Sequence, residues 1–163
     1  MTVNPVPEKY TSVAPYLVVH DAQRAIDFYQ RAFDATECAR MATPDGRIAH
    51  AELQIGDTII RLCDNLPQFD GRAPKDLGGT TVEIFLYVED VDAVVRRAAE
   101  AGATVKAPPE NQYWGDRLGR VLDPFGHVWL IASRVEDLTA DEVEARGREL
   151  FATIASGQAK RRG

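Results

Sequence analysis

The chain has 163 residues, 45% of them hydrophobic and 27% charged, enough for one compact body with a sizeable core. A formal net charge of -6 denies it the basic face that phosphate binding needs, which excludes a nucleic-acid partner. No stretch approaches a membrane span in length and the start lacks the charged and apolar regions of a secretion signal, so a soluble, cytoplasmic protein with no membrane partner is expected.

Residues 1–12 read as an N-terminal arm. Short or alternating apolar runs then predict strands over residues 13–19, 36–42, 48–55 and 58–63. A helix opens between the first two at Asp21, an N-cap residue, and Ala25, Ile26, Phe28, Tyr29, Ala32 and Phe33 recur at helical spacing to cover one sheet face. Pro44-Asp45-Gly46 and Gly56-Asp57 are turn signals that divide the later strands into a meander. Cys38 and Cys63 have no CxxC spacing, so they read as core thiols rather than a disulfide framework or zinc site.

Glycine, proline and aspartate then interrupt all periodicity over residues 65–79, which marks a surface connection. Beyond it the order repeats: a strand over 81–88, a helix from Asp90 to Ala101 with Gly102 as its C-cap, a short strand over 103–106, an irregular loop over 108–115, and strands over 117–122 and 127–132. Val19-His20-Asp21 corresponds to Val88-Glu89-Asp90 at an offset of 69 residues, and Gly56 to Gly126 at 70. Such a near-constant offset is internal duplication and implies a pseudo-twofold body with a cleft between its halves. Last comes a capping box, Thr139 with Glu142, opening a helix on which Val143, Leu150, Phe151 and Ile154 share a stripe. The basic run Lys160, Arg161, Arg162 reads as a solvated tail.

The segment from Pro15 to Tyr29 resembles the opening of the vicinal oxygen chelate superfamily. In the second half, Leu86 to Asp92, Ala101-Gly102-Ala103, Trp114 to Arg117 and Asp123-Pro124-Phe125-Gly126-His127-Val128-Trp129 resemble its glyoxalase and bleomycin-resistance branch. The resemblance implies an α+β fold of two βαβββ modules with pseudo-twofold symmetry around a cleft, here residues 13–64 and 81–134, joined by a linker over 65–80 and followed by a C-terminal helix and tail over 135–163. It also implies a homodimer. Enzymes of the superfamily hold a divalent metal through one His, Gln or Glu from each of four strands. Carried onto this chain, those positions fall on Ala14, on Arg61 (or Ile60), on Glu83 and on Leu130, of which only Glu83 can bind a metal. Neither a metal nor another cofactor is therefore expected.

Strand alternation indicates what takes the metal's place. If Ala14 and Glu83 face the cleft, so do Tyr16, Val18, Phe85 and Tyr87, while Leu17, Val19, Ile84, Leu86 and Val88 face the helices. His50, Glu52 and Gln54 share the face opposite Ala51, Leu53 and Ile55, beside Arg61. Glu83 is a candidate acid–base group whose pKa a desolvated, aromatic setting would raise, or else a carboxylate bonded to a neighbouring Tyr, Arg or His. His50 and Glu52 are candidate catalytic partners, and Glu52 with Arg61 is either a base aligned by a guanidinium or a cross-strand salt bridge. Tyr113 and Trp114 form a stacking lid over the cleft or a cap on the core, and Asp116 with Arg117 reads as a local ion pair. His20 and His127 read as architectural, and Trp129 as core.

The leading expectation is a binder of a small, partly aromatic or apolar molecule in a metal-free cleft, with Tyr16, Arg61, Phe85, Tyr87, Tyr113 and Trp114 as ligand contacts. The alternatives are a lyase, isomerase or dioxygenase-like enzyme using Glu83, His50 and Glu52 or a noncanonical metal, and an interaction protein with a vestigial cleft.

Overall fold

A computed structural model describes residues 4–156. The order is β1 (Tyr16–Val19), α1 (Ala22–Phe33), β2 (Thr36–Ala42), β3 (Ile48–Ile55), β4 (Thr58–Asp64), a 3-10 turn (Pro67–Phe69), α2 (Pro74–Leu77), β5 (Glu83–Tyr87), α3 (Val91–Ala101), β6 (Thr104–Asn111), β7 (Asp116–Leu122), β8 (Val128–Arg134) and α4 (Ala140–Ala155). The strands form two four-stranded sheets of the same order, β1-β4-β3-β2 and β5-β8-β7-β6. In each, the first strand runs parallel to the last and the remaining neighbours are antiparallel. This is the expected pair of βαβββ modules with a C-terminal helix. The basic run Lys160 to Arg162 lies outside the described residues.

The duplication extends to single bonds. Tyr16 pairs with Arg61 across β1 and β4, and Phe85 pairs with Leu130 at the equivalent place across β5 and β8. At the start of α1 the Ala22 N–H donates to Asp64 Oδ1 at 2.8 Å, and at the start of α3 the Val91 N–H donates to Ser133 Oγ at 2.9 Å. A carboxylate in one half and a hydroxyl in the other satisfy the same orphan helix donor. Asp21 and Asp90 cap these helices through Arg24 N and Ala93 N, as their residue type suggests.

Each sheet turns one face inward. Leu17, Val19, Leu53 and Leu62 of the first sheet join Val121, Trp129 and Ile131 of the second in a single core around α1 and α3. Phe33 and Tyr29 of α1 reach the Trp129 ring of the other half, at centroid distances of 4.6 and 5.4 Å. The Tyr29 hydroxyl and the Trp129 indole both donate to buried Asp123 Oδ2, at 2.7 and 3.0 Å. Burial, and then the Asp123 charge, push the Tyr29 phenol well up, so it stays a neutral donor. The two modules therefore share one core rather than touching as separate bodies.

Two boundaries differ from the sequence reading for reasons of backbone chemistry. β1 starts at Tyr16 rather than at residue 13, since Pro15 has no N–H to give to a ladder. The loop expected over residues 108–115 is in its first half strand: β6 runs through Pro108 and Pro109 to Asn111, with register shifts around Ala107 and Glu110. An edge strand accommodates prolines at such bulges because its outer N–H positions need no partner. Among the described residues no helix is long and apolar enough to cross a membrane.

Candidate functional site

The first strands β1 and β5 are the edges of their sheets, and a cavity of about 780 Å³ opens between them. Val82, Glu83, Phe85 and Tyr87 line it from one side together with Ile84 and Leu86, Val13, Tyr16 and Leu17 from the other, and it reaches down to Trp129. The alternation holds: Tyr16, Phe85 and Tyr87 stand 51%, 45% and 56% exposed, while Leu17 and Val19 are buried and Ile84, Leu86 and Val88 pack on the core. The Phe85 and Tyr87 ring centroids are 5.0 Å apart and tilted. His127, from the turn before β8, reaches across to the Val18 carbonyl with its Nε2 at 3.2 Å and ties β1 to the second module beside this opening. That is the architectural role its turn position suggests.

The open face of the first sheet carries a polar chain. Tyr16 Oη lies 3.2 Å from His50 Nδ1, and His50 Nε2 lies 3.6 Å from Glu52 Oε1. Arg61 Nε stands 3.6 Å from the same oxygen, and the Tyr10 hydroxyl donates to both Glu52 oxygens at 3.0 Å. Glu52 is only 7% exposed. Burial alone would raise its pKa, but the Tyr10 and His50 hydrogen bonds and the Lys9 and Arg61 charges outweigh it and hold the carboxyl below its ordinary value. The Glu52–Arg61 pair is thus a cross-strand contact inside a larger network, with the imidazole between a carboxylate and a phenol.

Glu83 is not part of that network. It is exposed and pairs with Arg120, two strands away on β7, so the desolvated carboxyl expected beside the aromatics is not what the fold builds, and the reading of a carboxylate bonded to a neighbouring Arg holds. Nor do Tyr113 and Trp114 line the cavity. Tyr113 packs beside Gly147 and Phe151 of α4, and the Trp114 indole donates to Asp116 Oδ2 at 2.9 Å. The expected Asp116–Arg117 pair is replaced by two others. Asp116, 1% exposed, accepts from Tyr87 Oη at 2.7 Å and Arg134 Nε at 2.8 Å, while Arg117 forks onto Asp92 at 2.6 and 2.8 Å. The reason is alternation: adjacent residues on β7 point to opposite faces. Through Asp116, Tyr87 is pinned by its hydroxyl and presents only its ring.

Sequence reasoning missed Tyr10 and Arg120. Arg120 sits directly across from Leu130 and so shares the face of Glu83, a pairing set by sheet order and register rather than by any local signal. Tyr10 was not legible either, because it lies in an arm without periodicity and reaches Glu52 only through the tertiary fold.

The register also tests the metal positions that the resemblance implies. Arg61 lies opposite Tyr16 and Leu130 opposite Phe85, while Ala14 and Glu83 each stand two residues before those aromatics. A methyl, a guanidinium, an isobutyl group and one carboxylate do not make a cation site. Among the described residues no three His, Cys, Asp or Glu side chains come together as a metal site either. The donor set does not fit a divalent metal.

Residues 10–131 match the family model described as Glyoxalase/Bleomycin resistance protein/Dioxygenase superfamily. The chain is 49% identical over 137 residues to the uncharacterized protein Rv0887c of Mycobacterium tuberculosis, covering 82% of this chain and 81% of that one. It is 30% identical over 129 residues to the protein At5g48480 of Arabidopsis thaliana, covering 74% and 76%. Among solved structures, TioX from Micromonospora sp. ML1 superposes with a TM-score of 0.61 at 29% identity, over 77% of this chain and 99% of that one. The fosfomycin resistance protein FosX from Mesorhizobium loti, at 17% identity and a TM-score of 0.57 over 81% and 95%, shares the fold. With three quarters of its length under the family model and its paired βαβββ modules, the chain belongs to the Glyoxalase/Bleomycin resistance protein/Dioxygenase superfamily.

Proposed function

We propose that the chain binds a small, flat, partly aromatic molecule in the cavity between β1 and β5, without a metal. The observation that carries this reading is the set of half-exposed rings, Tyr16, Phe85 and Tyr87, on the face where the resemblance implies metal ligands. With donors absent at Ala14, Arg61 and Leu130, the face offers π surface and contact area instead of coordination. Glu83 with Arg120 on one rim, and Arg61 beside Tyr16 on the other, supply charged hydrogen bonds that fix the orientation of a polar substituent. The family description names bleomycin resistance proteins, and this chain is read as a small-molecule binder of that kind. Cys38 is exposed and Cys63 half-buried, not the core thiols the sequence suggests, and the unbridged pair suits a reducing cytoplasm.

The test is a ligand screen on the purified protein read by tryptophan fluorescence, followed by titration of each hit against Phe85→Ala. A hit whose affinity is unchanged in Phe85→Ala removes the aromatic cavity from the reading. One observation favours a second reading, an acid–base enzyme: the Tyr16–His50–Glu52 chain has the order of a proton relay, with the imidazole between a phenol and a carboxylate. Turnover of a bound hit that is lost in His50→Ala would establish the enzyme over the binder.

A further inference from the structure

Residues 4–14 lie across the open face of the first sheet, and their attachment is narrow. Among the described residues, every hydrogen bond from this arm to the rest of the chain runs through the Tyr10 hydroxyl to Glu52. The arm's other hydrogen bonds are local: Tyr10 N to Pro7 O, Val6 N to Asn4 Oδ1, and Thr11 Oγ1 to Val13 O. Lys9 adds an ion pair to Glu52 at 3.9 Å from an exposed position. Over the Tyr10 ring lies the Arg61 guanidinium, its Cζ 4.7 Å from the centroid.

A carboxylate that accepts the hydroxyl and a guanidinium stacked on the ring together make a cradle for a phenol. Here the chain's own side chain sits in it. The cradle adjoins open space: a second cavity of about 610 Å³ runs between the arm and Arg61, and it shares Val13 and Ala14 with the cavity between β1 and β5. A molecule larger than a tyrosine side chain can therefore reach from the cradle toward the aromatic cavity. Tyr16, which lies opposite Arg61 in the strand register, lines the aromatic cavity.

We propose that Glu52 and Arg61 form a phenol-binding subsite, that Tyr10 occupies it in the free protein, and that a ligand carrying an aromatic hydroxyl displaces Tyr10 and releases the arm. This rests on the reading of the cleft as a small-molecule site and deepens it by naming the ligand's polar end. Because the arm's hydrogen bonds to the sheet run through one side chain, losing Tyr10 opens the subsite without touching the shared core. A self-occupied site binds its ligand more weakly by the fraction of time it stands open, so removing the occupant raises the apparent affinity.

The probes are p-cresol, which reproduces the tyrosine side chain, and toluene, which lacks the hydroxyl, each titrated by NMR into the full chain. Tyr10→Ala should bind p-cresol on the order of tenfold more tightly than the parent, with no gain for toluene. Adding Glu52→Gln to Tyr10→Ala should abolish the gain. In the parent, p-cresol should also speed trypsin cleavage after Lys9 severalfold, while Tyr10→Ala should be cleaved fast with or without it. Equal p-cresol affinity in the parent and Tyr10→Ala, an equal gain for toluene, or cleavage indifferent to p-cresol would each overturn the proposal. A p-cresol gain in Tyr10→Ala that persists when Phe85→Ala is added supports the subsite even if the aromatic cavity itself fails its test.

Discussion

Asp116 shows how one buried carboxylate can set the shape of a ligand face without belonging to it. Its partners are Tyr87, Trp114 and Arg134, so a single residue fixes a cavity ring, the β6–β7 turn and the end of β8. Burial alone would raise its pKa, but the donated hydrogen bonds from Tyr87, Arg134 and Trp114, with the Arg134 charge, outweigh burial and pull it below its ordinary value. A carboxyl whose folded pKa is depressed stabilises the fold fully above its unfolded value, about 4, and loses that stabilisation as pH falls through the folded value. Melting temperature measured from pH 6 to pH 2 should therefore drop below about pH 4, and Asp116→Asn should flatten part of that acid limb. An acid limb identical in Asp116→Asn and the parent would assign the loss to other carboxylates. Replacement by alanine leaves the Tyr87 hydroxyl and the Trp114 indole without their acceptor and should cost about 3 kcal/mol in urea unfolding, since each stranded donor costs about 1–3 kcal/mol.

At the scale of elements, strand alternation separates the rings that stay open from the side chains packed in the core. Trp129, 1% exposed and stacked near Phe33, faces the shared core from β8, whereas Phe85 on the neighbouring β5 is nearly half open. Ile131→Ala, on the same core face of β8 but outside the cavity lining, should lower stability by about 2–5 kcal/mol and leave the intrinsic affinity of a hit almost unchanged. Phe85→Ala should do the reverse, weakening a stacked ligand by about 1–3 kcal/mol with little change in melting temperature. Two variants that lower stability and affinity together would show that the two faces are not separable. These assignments were legible because period two and the 69-residue offset are local signals, read from β1, β5 and the two capped helices without knowing their partners. What connects elements distant in the chain was not legible: Glu83 meets Arg120 and Glu52 meets Tyr10 through sheet order and through an arm that has no pattern of its own. The β6 prolines misled for a related reason, since a proline is a strand breaker only where both edges are paired, and nothing local marks β6 as an edge.

The whole molecule leaves apolar surface that its own core does not use. α4 buries only Gly147, against the Tyr113 ring, while Leu150, Phe151 and Ile154 on its stripe stay 40%, 59% and 51% exposed, and the open sheet faces add Tyr16, Phe85 and Tyr87. Scattered apolar residues on a surface need no partner, but an apolar helix stripe and open aromatic sheet faces are surfaces of the kind that pair. A closed twofold pairing would cover the same patch on both copies, with about 800 Å² buried on each for a stable complex. We therefore expect a homodimer, seen as twice the 18.0 kDa chain mass by sedimentation equilibrium at micromolar concentration. Charge at the stripe should decide whether α4 is the contact. Phe151→Glu together with Ile154→Glu places carboxylates that a desolvated interface would have to bury, and it leaves the shared core of α1, α3 and the two sheets untouched. If α4 forms the interface, this variant should sediment as a folded monomer with the parent's circular dichroism. If it stays dimeric, the contact lies on the open sheet faces, and hits that bind the cavity should then change the dimer dissociation constant. A parent that sediments as a monomer at micromolar concentration rules out both arrangements and makes each cavity the property of a single chain.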